Sequence, residues 1–244
     1  MSVLDSIRSQ FVPIHREGYP FIGLFALVTL VLIWLFKPLG VIAAALTVWC
    51  IWFFRDPERV TPLSEGIVVA PADGRVCSIV KAVPPRELGL PESAVPRISI
   101  FMNVFDCHVN RSPVGGRIEN IVYTPGAFIS ADLDKASESN ERNSFVIGTP
   151  HGRLAVVQIA GLVARRIVCF TRQGAIVGAG ERIGMIRFGS RVDVYLPAGA
   201  QALVGEGQTA IAGETVIADL RAEAIEPAFR ANYYPNSACV RTYV

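Results

Sequence analysis

Apolar residues dominate two neighbouring stretches near the N-terminus, residues 21–36 and 41–54, with Lys37-Pro38 between them. A helix of about 16 residues spans about 24 Å, while the hydrocarbon core of a bilayer is about 30 Å thick. Each stretch is therefore marginal as a full crossing. The pattern predicts an apolar helical hairpin over residues 19–54, after a polar segment over residues 1–18. Two tight crossings, a re-entrant hairpin and a buried hairpin of a soluble protein all agree with it.

Basic residues flank the two apolar stretches unevenly. Arginines precede and follow the pair, whereas Lys37 stands alone in the connecting turn. Because cytoplasmic flanks of membrane segments are rich in Lys and Arg, this bias predicts that both ends lie in the cytoplasm. We therefore expect a protein of the inner cell membrane with its remaining domain on the cytoplasmic side. The supporting residues are Arg8, Arg16, Arg55 and Arg59, with Trp34, Trp49 and Trp52 suited to the interface.

Strand-like alternation begins after Arg55 and continues through most of the chain. Two hairpins are predicted, which join residues 66–70 to 75–80 and residues 145–148 to 154–160. Residues 130–143 are polar and predict a long loop. Residues 55–244 thus predict a single, mainly β domain of sandwich or barrel type, behind the N-terminal apolar helical hairpin.

Two stretches echo each other weakly, residues 69–76 and residues 205–209 with 212–217, and both resemble turns of biotinyl- and lipoyl-type β sandwiches. Those modules carry their cofactor on a lysine in a Met-Lys turn. The chain has three lysines, and neither Lys81 nor Lys135 lies in such a turn. We therefore expect lipoyl- and biotinyl-like strand elements without the carrier activity.

The strand pattern is broken at Gly189-Ser190. Residues on both sides alternate as a strand should, with Met185, Val192 and Val194 as the expected inward positions. Glycine contributes no packing there, so it marks a bulge or a close backbone approach. The Ser190 hydroxyl lies one residue from an unshielded carbonyl, which favours intramolecular attack on Gly189. The plainer interpretation is a β-bulge that carries a surface serine.

Composition narrows the possible functions. A hydrophobic share of 51% and a mean hydropathy of +0.41 exceed those of an ordinary soluble domain. The net charge is only +2 and no basic run is present, so no nucleic-acid partner is expected. The five cysteines are scattered and odd in number. They predict reduced thiols in a cytosolic compartment, without a disulfide framework or a metal site.

A few polar side chains are candidates for chemistry. Asp73 lies on a tight turn, where a carboxylate can orient a histidine or simply stabilise the turn. His108 ends an apolar strand within a polar cluster, and it is the one histidine of three that suits proton transfer. The pair Arg165 and Arg166 can hold a phosphate or a carboxylate, or can be a solvated part of a turn.

Taken together, five motifs and the apolar hairpin resemble the short form of the phosphatidylserine decarboxylase family. No single motif is specific to this family, but the order and spacing of the motifs from about Arg55 to Leu220 are specific when taken together. The motifs are P-A-D-G at 71–74, D-x-H-V-N-R-S-P at 106–113, N-E-R-N at 140–143, Q-I-A-G-x-x-A-R-R-I at 158–167 and G-x-I-x-F-G-S-R at 184–191.

The resemblance implies a proenzyme that cuts itself between Gly189 and Ser190. The products would be a β chain of residues 1–189 and an α chain of residues 190–244, held together as a heterodimer and open to higher oligomers. Ser190 would become an N-terminal pyruvoyl group, which is a covalent cofactor. That group would form a Schiff base with phosphatidylserine of the membrane and release CO₂, leaving phosphatidylethanolamine for phospholipid biosynthesis.

The resemblance also assigns roles to single residues. Asp73 matches the aspartate of an Asp–His pair that activates the serine in many relatives. The longer branch of the family has H-x-x-H, and Arg111 stands here at the second position. His108 is then the available base for self-cleavage and the candidate to reprotonate the substrate carbon, and whether it serves both steps stays open. Arg111, Arg165 and Arg166 are candidates to hold the lipid phosphodiester.

Two other classes of protein agree with parts of the sequence. A membrane-anchored adaptor with a lipoyl-like domain would stay uncut, with a long helical hairpin and a domain outside the cytoplasm. No heptad segment is present, however, and the arginine bias points the other way. A related pyruvoyl enzyme that acts on a small amino acid would share the chemistry, but a soluble substrate needs no membrane segment.

Overall fold

The N-terminal apolar region forms two packed helices in a computed structural model, which describes residues 12–127, 140–161, 166–187 and 190–221. Helix α1 is Tyr19–Leu35 and helix α2 is Lys37–Phe53. The hydroxyls of Thr29 and Thr47 are 2.9 Å apart and hydrogen-bonded between the helices. This arrangement confirms the predicted helical hairpin.

Both helices leave most of their apolar side chains exposed, Trp34 and Val41 among them. By length and composition, the 20-residue helical stretch Arg16–Leu35 is able to cross a membrane, whereas α2 has 17 residues. An exposed apolar helix pair is costly in water, since it removes little apolar surface from solvent. The exposed apolar surface of the pair agrees with the predicted membrane hairpin.

The rest of the described chain is built from strands. Two short 3₁₀ turns, Arg16–Gly18 and Arg86–Leu88, lie outside them. The strands are β1 Ile67–Val69, β2 Gly74–Ala82, β3 Val95–Met102, β4 Val109–Arg111, β5 Gly116–Thr124, β6 Arg142–Thr149, β7 Gly152–Ala160, β8 Arg166–Cys169, β9 Ile176–Val177, β10 Arg182–Arg187, β11 Ser190–Tyr195, β12 Gln201–Ala202, β13 Thr209–Ala210 and β14 Val216–Asp219. The predicted mainly β domain is confirmed.

Three sheets are formed by these strands. The largest has eight strands in the order β13-β2-β3-β11-β7-β6-β5-β9, and two three-stranded sheets have the orders β4-β10-β8 and β1-β14-β12. Strand β11 lies in the middle of the large sheet, antiparallel to both β3 and β7. One face of that sheet packs into the main apolar core, which includes Ile100, Val156 and Val192. We call it the inner face.

The two predicted hairpins have different outcomes. The hairpin of β6 and β7 is confirmed, because Thr149 pairs directly with Gly152 across a tight turn. The hairpin of residues 66–70 and 75–80 is wrong, because β1 pairs with β14 and β2 pairs with β3 and β13. The chain does change direction at Asp73-Gly74, but there it passes from the three-stranded sheet of β1 to the eight-stranded sheet of β2.

The two stretches that echo each other lie side by side. The Ala70 amide donates to the Thr215 carbonyl and the Gly213 amide donates to the Ala70 carbonyl, each at 2.8 Å. Their strands also pair, β1 with β14 and β2 with β13. Most of the predicted polar loop over 130–143 lies outside the described residues, and β6 already begins at Arg142.

Candidate active site

Ser190 is the first residue of the central strand β11. It pairs with Met102 of β3 on one side and with Ala160 of β7 on the other. Its side chain is fully buried, and its hydroxyl has no hydrogen-bond partner among the described residues. A surface serine on a bulge is therefore excluded. Val192 and Val194 continue inward from it in the main core, as predicted.

The chain changes sheets just before Ser190. Strand β10 ends at Arg187 in one three-stranded sheet, and β11 begins at Ser190 in the large sheet. Met185 of β10 is buried as predicted, but it packs in a separate apolar cluster with Phe53 of α2. The broken strand pattern thus marks a crossing between two layers. Gly189, the other half of the predicted cleavage site, lies outside the described residues.

His108 is enclosed between the β domain and the helix pair. Its ring is fully buried and lies 4.2 Å from the Phe53 ring, centroid to centroid. Its Nδ1 is 3.0 Å from the Asp106 carbonyl oxygen. Because a carbonyl can only accept, Nδ1 carries the proton and Nε2 is left as the basic nitrogen. Nε2 is buried without a partner in the described part of the chain.

Burial also controls the charge of His108. Desolvation lowers the pKa of His108 to about 4, against 6.5 for an ordinary histidine, and the Asp106 carbonyl only partly opposes this. The imidazole is thus neutral at physiological pH and free to accept a proton. The Ile186 amide donates to the His108 backbone carbonyl at 3.3 Å, so the backbone of His108 lies beside β10. No hydrogen bond between the His108 ring and the Ser190 hydroxyl is present in the described residues.

Asp73 lies on the turn before β2, where its carboxylate is already engaged. Arg59 donates to one oxygen at 2.7 Å, and the Ala212 amide donates to the other at 2.8 Å. No hydrogen bond between Asp73 and His108 is present in the described residues. Gly74, with φ +148°, brings the turn against β3, since a Cβ there would lie 2.2 Å from the Phe101 carbonyl oxygen.

The three candidate arginines have different surroundings. Arg111 is buried and donates to the Gly180 and Pro57 carbonyls at 2.8 Å each, with Asp56 at 3.4 Å. These contacts attach β4 to the segment that follows α2. Arg166 is exposed at the start of β8. Arg165 lies outside the described residues.

A row of buried amides, which sequence reasoning missed, lies on the inner face. Asn143 of β6 donates to Gln158 of β7 at 3.0 Å, and Gln158 donates to Asn110 of β4 at 2.7 Å. Asn110 in turn donates to the Met102 sulfur at 3.5 Å. We call these three amides the amide relay. The available signal was that three of the recognised motifs each contribute one amide.

The fold and the site define a mainly β enzyme whose candidate nucleophile is enclosed in its own core, beneath an apolar helix pair. The model of the phosphatidylserine decarboxylase family matches residues 46–218, from within α2 to β14. The chain is also 64% identical over 217 residues to the phosphatidylserine decarboxylase proenzyme of Nitrobacter winogradskyi, with 88% of each chain covered. The chain therefore belongs to the phosphatidylserine decarboxylase family, a family of carboxy-lyases.

Proposed function

We propose that the chain is a phosphatidylserine decarboxylase proenzyme that cuts itself between Gly189 and Ser190 and decarboxylates phosphatidylserine to phosphatidylethanolamine. One observation carries the cleavage site: Ser190 is a fully buried serine with an unpaired hydroxyl in the described part of the chain, placed where two sheets are joined. A buried hydroxyl without a partner is destabilising by about 1–3 kcal/mol. Ser99 and Ser144 are buried in the same way, so the position of Ser190 at the junction of two sheets is what supports a chemical role.

His108 is the proposed base for cleavage. Its neutral imidazole has Nδ1–H held by the Asp106 carbonyl, which leaves Nε2 to take the proton of Ser190. Ser190 Oγ then bonds to the Gly189 carbonyl carbon, and the peptide C–N bond breaks to leave an ester. Elimination would then release the Gly189 carboxylate and leave dehydroalanine at position 190. One water would hydrolyse the imine tautomer of that residue, which would release ammonia and leave a pyruvoyl group. Asp73 is proposed to assist through its charge, which acts on Asp106, two residues before His108. Desolvation is the main cause that raises the pKa of Asp106, and the negative charge of Asp73 raises it further.

The surroundings of Ser190 fit a pyruvoyl group. Met102 and Ala160 flank it with apolar surface, and the Asn110 amide is a polar group nearby. A second one is the Asn140 amide, which donates to the Ala160 carbonyl at 2.7 Å. The ketone of such a group supplies a sink for the electrons released with CO₂. The chain's own part is to exclude water from the site and to hold His108, the proposed donor of a proton to the substrate carbon.

Cleavage before Ser190 would leave two chains joined by strand pairing. Residues 190–221 contain β11 to β14, and three of these strands pair with strands of the earlier part of the chain. The β chain of residues 1–189 and the α chain of residues 190–244 would thus remain a heterodimer. No covalent link is needed for this.

The helix pair and its surroundings support a lipid substrate. Trp52 at the end of α2 and Phe105 beside it are both more than half exposed, and the Trp52 ring nitrogen donates to the Phe105 carbonyl at 3.3 Å. Arg55 lies 4.4 Å above the Trp52 ring. Exposed aromatic and basic side chains at the end of an apolar helix suit a membrane interface. His108 follows Phe105 by three residues, so the site would lie close to the lipid headgroups.

Arg166 and the adjacent Arg165 remain the candidates to bind the phosphodiester, whereas the Arg111 guanidinium is directed to protein acceptors.

We propose that the β domain is on the cytoplasmic side of the inner membrane. Protease added to sealed inverted membrane vesicles, which expose the cytoplasmic face, is expected to degrade the β domain. Protection of the domain in these vesicles, together with its degradation in spheroplasts, would place it on the opposite side.

The mass of the purified protein tests the proposed chemistry. We expect two polypeptides from one gene product, the smaller beginning at position 190 and lighter than its encoded mass by one ammonia. Its N-terminus should resist Edman sequencing, because a ketone replaces the amine. A single unmodified chain that decarboxylates phosphatidylserine at full rate would overturn the proposal.

A further inference from the structure

Asn110 lies across the central strand of the large sheet. Its side chain bonds to Gln158 on β7 and to Met102 on β3, the two strands on either side of β11. Met102 is the register partner of Ser190, and Gln158 is the partner of Val192. Register partners project to the same face, so all of these side chains share the inner face. The Asn110 carboxamide must therefore pass over β11 beside the Ser190 side chain.

The direction of each hydrogen bond in the amide relay follows from the Met102 sulfur. A thioether can accept but not donate, so the Asn110 NH₂ group faces Met102 and its oxygen faces Gln158. Gln158 must then donate to Asn110 and accept from Asn143. The relay thus ends, next to Ser190, in an amide donor whose described acceptor is only a weak one.

The amide relay is enclosed and has space made for it. Asn110 and Gln158 are fully buried, and Asn143 is 4% exposed. A Cβ at Gly184 would lie 2.8 Å from Gln158 Nε2, so only glycine leaves room for the Gln158 side chain. The Ser190 hydroxyl beside the relay also lacks a partner in the described chain. An underused donor next to an unpaired nucleophile is the arrangement of a site preorganised for charge that develops during a reaction.

We propose that Asn110 donates a hydrogen bond to the Gly189 carbonyl oxygen as Ser190 attacks that carbonyl, and that Gln158 and Asn143 are positioning residues for this donor. The inference rests on the proposed self-cleavage at Ser190. The attacked carbonyl carbon is bonded directly to the Ser190 nitrogen. It is therefore next to the residue over which the Asn110 carboxamide passes.

The step is balanced in atoms and charge. Ser190 Oγ bonds to the carbonyl carbon, its proton passes to His108 Nε2, and the carbonyl electron pair moves to oxygen. Asn110 stabilises the resulting oxyanion. When the oxyanion collapses, the C–N bond breaks and the Ser190 nitrogen takes the proton back from His108. The product is an ester with a free amine, and no proton is gained or lost.

Two Asn110 variants test this role in the full-length chain, with the rate of self-cleavage followed on a denaturing gel after synthesis. Asn110→Leu keeps the size and removes the donor, so cleavage should slow by about 10²–10³-fold. Asn110→Asp should cut at about pH 5, where a buried carboxyl is protonated and can donate, and should stop at about pH 9, where it is ionised and repels the oxyanion. Because ionisation of a buried carboxyl also destabilises the fold, circular dichroism is recorded at both pH values. An alkaline loss of cleavage in a chain that is still folded at pH 9 is not expected from a merely structural role.

Further variants test the orientation of the Asn110 amide separately from folding and from the proposed self-cleavage. Gln158→Met removes the hydrogen bond that orients this amide, so it should slow self-cleavage less than Asn110→Leu does. The matched control is Asn120→Leu on β5, two strands beyond β7, which should cut at the wild-type rate. Circular dichroism checks that each variant is folded, and if Asn110→Leu is not, the pH profile of Asn110→Asp decides.

Two results would overturn the role of Asn110. One is a folded Asn110→Leu chain that cuts at the wild-type rate, and the other is an Asn110→Asp chain that cuts equally well at both pH values. If Ser190→Ala still blocks cleavage in the same assay, only the role of Asn110 fails. A Ser190→Ala chain that still cuts would instead remove the proposed function itself.

Discussion

The Ser190→Ala chain is expected to remain a single full-length polypeptide and to release no CO₂ from phosphatidylserine. The methyl side chain cannot attack the Gly189 carbonyl, so neither the ester nor the ketone derived from it can form. The fold should be retained, because removing an unpaired buried hydroxyl leaves no partner unsatisfied. Gel electrophoresis and CO₂ release from labelled phosphatidylserine vesicles measure the two losses together.

Ser144 offers a matched control for this change. It is also fully buried, and its hydroxyl likewise has no described partner, but it lies on β6 beside Val157 on the opposite face of the sheet. Ser144→Ala should therefore cut itself and decarboxylate at wild-type rates. If both variants lost cleavage equally, the effect would be one of packing and not of chemistry.

The second large effect is expected from His108→Gln, which should slow self-cleavage by about 10²–10⁴-fold. Glutamine can still donate to the Asp106 carbonyl, but it has no basic nitrogen to take the Ser190 proton. The wild-type chain should cut at a steady rate from neutral pH down to about pH 5. The rate should fall only as the solution approaches the His108 pKa of about 4, below which the imidazole is protonated.

His151→Gln is the control for His108, because His151 lies in the β6–β7 turn beside Glu65. It should cut like the wild type at every pH. An acid loss centred near pH 6.5 in the wild-type chain would mean that the base is a solvated histidine. In that case His108 would not be the group that accepts the proton.

Local signals explain what could be predicted of the fold. The β6–β7 hairpin has its two strands and its turn within one short stretch, and alternation alone located it. The partner of β1 could not be found in this way, because Ile67 pairs with Asp219 at the far end of the domain. Strand existence is a local property, whereas strand pairing depends on loops closed over most of the chain.

In the candidate site too, local sequence features identify single residues, whereas contacts between distant residues could not be predicted. Ser190 could be singled out from a break in alternation, and His108 from its place in a polar cluster. That His108 is covered by Phe53 of α2, and so kept neutral, depends on how the helix pair folds back onto β4. The engagement of Arg111 with the segment after α2 likewise joins residues about 55 positions apart. Neither contact leaves a trace in the spacing of neighbouring residues.

Strand β11 lies between β3 and β7, while β13 pairs with β2 and β14 pairs with β1, so three late strands depend on strands from the first part of the chain. A precursor with this topology folds as one molecule, with its last strands tethered to their partners. After cleavage before Ser190 the same topology could be regained only by the meeting of two separate polypeptides, which is a second-order and dilution-sensitive event. Denaturation of the mature enzyme would then show hysteresis, and its working lifetime would be set by how slowly it opens.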